Sequence, residues 1–189
     1  ASGLLEKIGP QGRLIGIDRD AQALALARER LGVVANQCHF VHSDFRYVDR
    51  VLADLNLKTV NVILLDLGVS SMQLDDPQRG FSIREEGPLD MRMDQDNFIS
   101  AYDIVNSLSE RELAFILKKY GEERWHNRIA RVLVQQRSRR PIETTKELGD
   151  IVRRAIPANN RYQKIHPATR TFQAIRIAVN RELESLEIV

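Results

Sequence analysis

Apolar positions change their spacing twice along the 189 residues. Residues 1–8, ASGLLEKI, read as the end of a helix that Gly9, Pro10 and Gly12 stop. RLIGID (13–18) is a short apolar run ending in Asp18, the pattern of a buried parallel strand. Asp20 is positioned to cap AQALALARERL (21–31), whose Ala and Leu content favours helix. CHFVHSDF (38–45) reads as the next strand and its exit. In FRYVDRVLADLNL (45–57), Val48, Val51, Leu52 and Leu55 recur at helical spacing. VNVILLD (60–66) reads as a third strand. Strands alternating with helices predict an α/β fold built on a doubly wound sheet.

After Asp66 the periodicity lapses, and polar, loop-like sequence continues to about Asp96. A loop of that length is uncommon inside a compact domain unless it is functional or disordered. From Phe98 onward the pattern is helical, with segments near 98–107, 109–120, 123–139 and 144–156. Ser109 with Glu112 forms a capping box, and Thr144 or Thr145 with Glu147 starts the fourth segment. NNRYQKIHPATR (159–170) is polar and irregular, and FQAIRIAVNRELESL (172–186) reads as one final amphipathic helix.

Composition is ordinary for a soluble globular protein, at 43% hydrophobic and 29% charged. No apolar run approaches the roughly eighteen residues of a membrane span, and no signal-peptide pattern opens the chain. The single cysteine, Cys38, excludes an internal disulfide and suits a cytoplasmic compartment. It reads as a small buried hydrophobe. Charge changes the picture more. Residues 1–117 carry 12 Lys and Arg against 18 Asp and Glu, whereas 118–181 carry 16 against 5. So basic a block is the footprint of a phosphate-binding surface, with solvated helix faces as the plain alternative. Lys118, Lys119, Arg124 and Arg128 interleave with Tyr120 and Trp125, although both rings equally suit the core of a helix pair. QQRSRR (135–140) adds Arg137, Arg139 and Arg140, and RYQK (161–164) adds Arg161 and Lys164. These nine cations are the candidate phosphate contacts, with the rings as candidate stacking planes.

Three acids, Asp18, Asp44 and Asp66, stand at or just past strand ends, where open α/β sheets bind ligands. The two oxygens of Asp18 suit paired ribose hydroxyls, and Phe45 offers a face to an adenine ring. Helix capping is the alternative for such acids. No metal site is expected. His39 and His42, three apart in a strand, point to opposite faces, while His126 and His166 are isolated and lack a cysteine partner set. GVSSM lacks the G-x-S-x-G spacing, so Ser70 and Ser71 read as turn residues and not hydrolase nucleophiles.

DLGVSSMQLDDPQRGFS (66–82), GPLDMRMD (87–94) and HPATRTFQAIRIAVNREL (166–183), together with GRLIGIDRD (12–20), closely resemble the RsmH (MraW) family of ribosomal RNA cytosine-N4 methyltransferases. The resemblance implies a Rossmann-like methyltransferase domain carrying an inserted helical domain. It also implies S-adenosylmethionine as cofactor and methyl transfer to N4 of a cytidine in small-subunit (16S) ribosomal RNA. By the same resemblance, residues 1–96 form part of the cofactor domain, 97–165 the basic insertion and 166–189 the return. Asp18, Phe45, Asp66 and Gln73 become cofactor residues. The partner is the small-subunit RNA or the assembled small subunit, with no membrane. Family members begin with a glycine-rich loop ending in Gly-Gly-His and continue into a Ser-Phe-His-Ser-Leu-Glu-Asp segment. Neither is in this sequence, so the sheet is expected to be incomplete here.

Methyl transfer to an amine is an in-line displacement in which positioning dominates. The N4 lone pair of cytosine is delocalised, so an acceptor for an N4–H assists, and the base must be unstacked. Asp90 and Asp94 are the candidate acceptors, with Ser70 and Ser71 secondary; salt bridges to Arg79, Arg84 or Arg92 are the structural alternative. Two other classes stay open: a non-catalytic RNA-binding fragment, and another Rossmann-type enzyme with a nucleotide cofactor such as NAD.

Overall fold

A computed structural model describes residues 2–158 and 165–189. In it the chain divides into two compact units, Ala1–Asp66 with Leu183–Val189, and Leu67–Glu182. In the first, α1 (Ser2–Ile8) precedes β1 (Leu14–Asp18), α2 (Ala21–Leu31), β2 (Cys38–His42) and α3 (Val48–Asp54). The strands pair in parallel, with Leu14 opposite Cys38 and Asp18 opposite His42. Asp20, almost fully buried, caps α2 by accepting the Gln22 N–H at 3.0 Å. A 3-10 turn, Phe45–Tyr47, leads into α3 and is capped by Asp44.

The expected third strand is not formed. Residues 62–67 take no regular secondary structure and enter no ladder, and they are exposed: Val62 by 81% and Leu64 by 69%. Apolar β-branched sequence supplies a tendency to pair, but pairing is a tertiary relation that local propensity does not set. The sheet among the described residues is therefore a single parallel pair.

The second unit is helical: α4 (Ser71–Asp75), α5 (Ala101–Ser107), α6 (Glu110–Gly121), α7 (His126–Arg137), α8 (Thr145–Ala155) and α9 (Thr169–Asn180). Its core takes Leu113, Leu117, Ile129, Leu133, Leu148, Val152 and Ile175 from the helices. The expected capping boxes form at Ser109–Glu112 and Thr144–Glu147, and two more start α4 and α5. The aperiodic stretch after Asp66 is not a free loop. Phe81, Leu89, Met91 and Met93 from it are buried in the same core. Gly80 turns it with φ 69°, at a point where a Cβ would meet the Pro88 carbonyl oxygen. The final helix expected over 172–186 is broken: Arg181 takes φ 50°, and the chain resumes as α10 (Glu182–Ile188).

Candidate active site and nucleic-acid interface

Asp18 and Phe45 both belong to the first unit, at the carboxyl ends of paired strands. Asp18 Oδ1 accepts the Asp20 N–H at 2.8 Å, and the Arg19 N–H also bonds to the carboxylate. Desolvation pushes the Asp18 carboxyl above its ordinary value, with the hydrogen bond from Asp20 acting against it. Phe45 is half-buried, and Asp66 is exposed in the irregular stretch after α3.

Asp44, expected from its place just past a strand end to face a ligand or cap a helix, is instead a hub for the protein's own side chains. Its carboxylate takes Arg19 Nη2 at 2.5 Å, Arg46 Nε at 2.7 Å and the Arg46 N–H at 3.0 Å. Ser185, fully buried on α10, donates to the same carboxylate at 3.1 Å. Burial alone would raise the Asp44 carboxyl; the hydrogen bonds from Arg46 and the Arg19 charge outweigh it and hold it below the ordinary value.

In the second unit Gln73 is buried, and its side chain accepts the Ser70 N–H at 3.0 Å while Ser70 Oγ accepts the Gln73 N–H at 3.2 Å. This reciprocal cap fixes the start of α4. Ser71 is exposed on its first turn. Asp90 is half-buried and held by Arg92: Oδ1 accepts the backbone N–H and Nε at 2.9 Å each, and Oδ2 accepts Nη2 at 2.7 Å. The same guanidinium reaches the Asn97 carbonyl at 2.6 Å. Asp94 accepts the Asp96 N–H at 3.0 Å. Arg84 is exposed.

Two buried side chains hold the 91–93 backbone: Arg79, which the sequence offered as a salt-bridge partner of the loop acids, and Asn180, which sequence reasoning missed. Arg79 Nη2 donates to the Arg92 and Met93 carbonyls at 3.1 and 3.0 Å. Asn180 Oδ1 accepts the Met93 N–H at 2.8 Å, and Nδ2 donates to the Met91 carbonyl at 2.8 Å. Met91 itself has φ 59°, a strained conformation for a side chain of that size. The available signal for Asn180 was a polar residue on the apolar face of the last helix, which demands partners when buried.

The candidate RNA cations divide by what they touch. Lys118, Lys119, Arg124 and Arg128 are exposed around the α6–α7 turn, and no described carboxylate pairs with them. Glu123, at the same turn, is buried and accepts the Trp125 N–H at 2.9 Å. At the far end of α7, Arg137 is half-buried and donates to the Val105 and Leu108 carbonyls at the end of α5, and burial pulls its pKa down. Arg140 pairs with Glu147, and Arg139 is exposed. Arg161 and Lys164 lie outside the described residues. Tyr120 and Trp125 are partly buried against the core. Cys38 is half-buried on β2.

All of residues 1–189 match the model of the MraW methylase family. Ribosomal RNA small subunit methyltransferase H of Geobacter sp. (strain M21) is 50% identical over 184 residues, covering 97% of this chain and 59% of the relative. The protein of that name from Clostridium botulinum (strain Kyoto / Type A2) is 50% identical over 183 residues, with the same coverage. That from Heliobacterium mobile is 50% identical over 188 residues, covering 99% and 60%. The chain thus spans about three-fifths of the length of the curated relatives it matches. It belongs to the MraW methylase family.

Proposed function

We propose that this chain is part of a methyltransferase that uses S-adenosylmethionine to modify N4 of a cytidine in small-subunit ribosomal RNA. What supports the reading is family membership over all 189 residues. The residue types suit a nucleoside cofactor: the Asp18 carboxylate can accept from ribose hydroxyls, and Phe45, in the same unit, offers a ring to the base. Asp66 and Gln73 complete the proposed cofactor residues. S-adenosylmethionine supplies an electrophilic methyl group on a sulfonium. Residues 1–96 and 166–189 belong in this reading to the cofactor domain, and 97–165 to a helical insertion that holds RNA. The protein acts in the cytoplasm, on ribosomal RNA alone or on the assembled small subunit.

Within the substrate loop the two acids take different parts. The Asp90 carboxylate accepts three hydrogen bonds from Arg92, whose guanidinium also holds the Asn97 carbonyl. Asp90 therefore shapes the loop. Asp94 is the acceptor for the N4–H, which localises the amine lone pair for in-line attack. Ser70 caps α4 and Ser71 stays secondary.

The test uses the full-length enzyme, labelled S-adenosylmethionine and small-subunit RNA, with the product nucleoside identified by mass spectrometry. N4-methylcytidine is expected; label on another base or atom overturns the assignment. Asp94→Asn should lower kcat by about a hundredfold and leave cofactor affinity near that of the parent. Asp90→Asn should instead lower thermal stability. If the two effects are exchanged, Asp90 is the acceptor.

A further inference from the structure

The outward face of α6 carries an aromatic ring among cations. Leu113, Ala114, Ile116 and Leu117 of this helix are buried, whereas Phe115 is 58% exposed. It shares one stripe with Arg111 four residues earlier and Lys119 four residues later, both exposed. The Lys119 ammonium stands 5.7 Å from the centroid of the Phe115 ring and 5.5 Å from that of Tyr120. Lys118 extends the stripe, and Arg124 and Arg128 continue it around the α6–α7 turn. Arg170 reaches the same corner by donating to the Glu122 carbonyl at 3.2 Å.

A single exposed apolar side chain is ordinary on a protein surface. This one differs in its neighbours. Tyr120 and Trp125 turn partly into the core, so Phe115 is the ring of this corner that is most open to solvent. The cations beside it have no described carboxylate to neutralise them. An unneutralised basic stripe with an open π-face matches a single strand of RNA, whose phosphates meet the cations while a base stacks on the ring. A duplex, with its bases already stacked, offers nothing to the ring.

We propose that Phe115 is a base-stacking platform for single-stranded RNA, flanked by Arg111, Lys118 and Lys119 as phosphate contacts. This rests on the reading that the helical unit binds RNA.

The experiment measures binding of a short unpaired oligoribonucleotide, and of the same sequence in a duplex, to full-length protein across a salt series. Phe115→Leu keeps an apolar side chain but removes the π-face. It should weaken single-strand binding about tenfold, leave duplex binding unchanged and preserve the salt slope. Phe115→Trp should retain affinity and show fluorescence quenching on binding. Lys119→Ala should reduce both affinity and the salt slope. Parental binding by Phe115→Leu overturns the platform while leaving RNA binding by the unit intact. So does a changed oligomeric state in the Phe115→Leu protein, because the ring would then be covered by a second copy of the chain. Absence of salt-dependent RNA binding in the parent overturns the platform and the underlying reading together.

Discussion

Asn180 shows how much one amide can fix. Its carboxamide satisfies an N–H and a C=O on the 91–93 backbone, and it also donates to the Arg176 carbonyl at 2.9 Å within its own helix. Only 1% of the residue is exposed, so water cannot replace these bonds. Removing a partner from a buried polar group costs about 1–3 kcal/mol for each group orphaned. Asn180→Ala should therefore lower stability by about 2–4 kcal/mol, read from the urea midpoint at constant slope, and should speed exchange of the Met93 amide. An unchanged midpoint would remove the clamp. The sequence made the acids of this loop visible, because Asp90 and Asp94 are polar residues in a matched motif. It hid the clamp on the backbone between them, because Asn180 lies about ninety positions away and only the tertiary fold brings the two together.

At the scale of elements, the helices were the legible part. Capping boxes and 3.6-residue spacing are local signals, and α5 to α8 begin within a few residues of where they were expected. The break at Arg181 was not legible. The sequence across it keeps helical spacing and good helix formers, and only the left-handed conformation of one residue divides it. Beyond the break, α10 is tied by Ser185 to the Arg19–Asp44–Arg46 cluster. That tie has a pH dependence. The Asp44 carboxyl is held below its ordinary 3.8, so its contribution is complete above that value and is lost as pH falls through the lower folded-state value. Protection of the α10 amides, relative to their intrinsic exchange rates, should fall in that acid range. Asp44→Asn should lower it already at pH 7 and flatten its acid limb. Protection of α10 that does not change with pH would show that the cluster does not anchor it.

For the molecule as a whole, charge was readable as a total but not as an arrangement. Composition located the basic block within 118–181, yet it could not separate Arg137, which caps the end of α5, from Lys118, which faces water. Both are cations in a basic run, and the distinction exists only once α7 packs against α5. The sheet was misread for a related reason. A strand is a relation between two segments, and VNVILLD has no partner among the described residues. Val62, Ile63, Leu64, Leu65 and Leu67 therefore stand exposed with their backbone groups outside any ladder. Such a segment is a template for edge-to-edge association, with β-prone residues, no proline and Asp66 as its one charge. These 189 residues, produced as a separate polypeptide, should scatter light increasingly with concentration. Leu64→Lys should suppress that scattering by setting a charge in the middle of the sticky run.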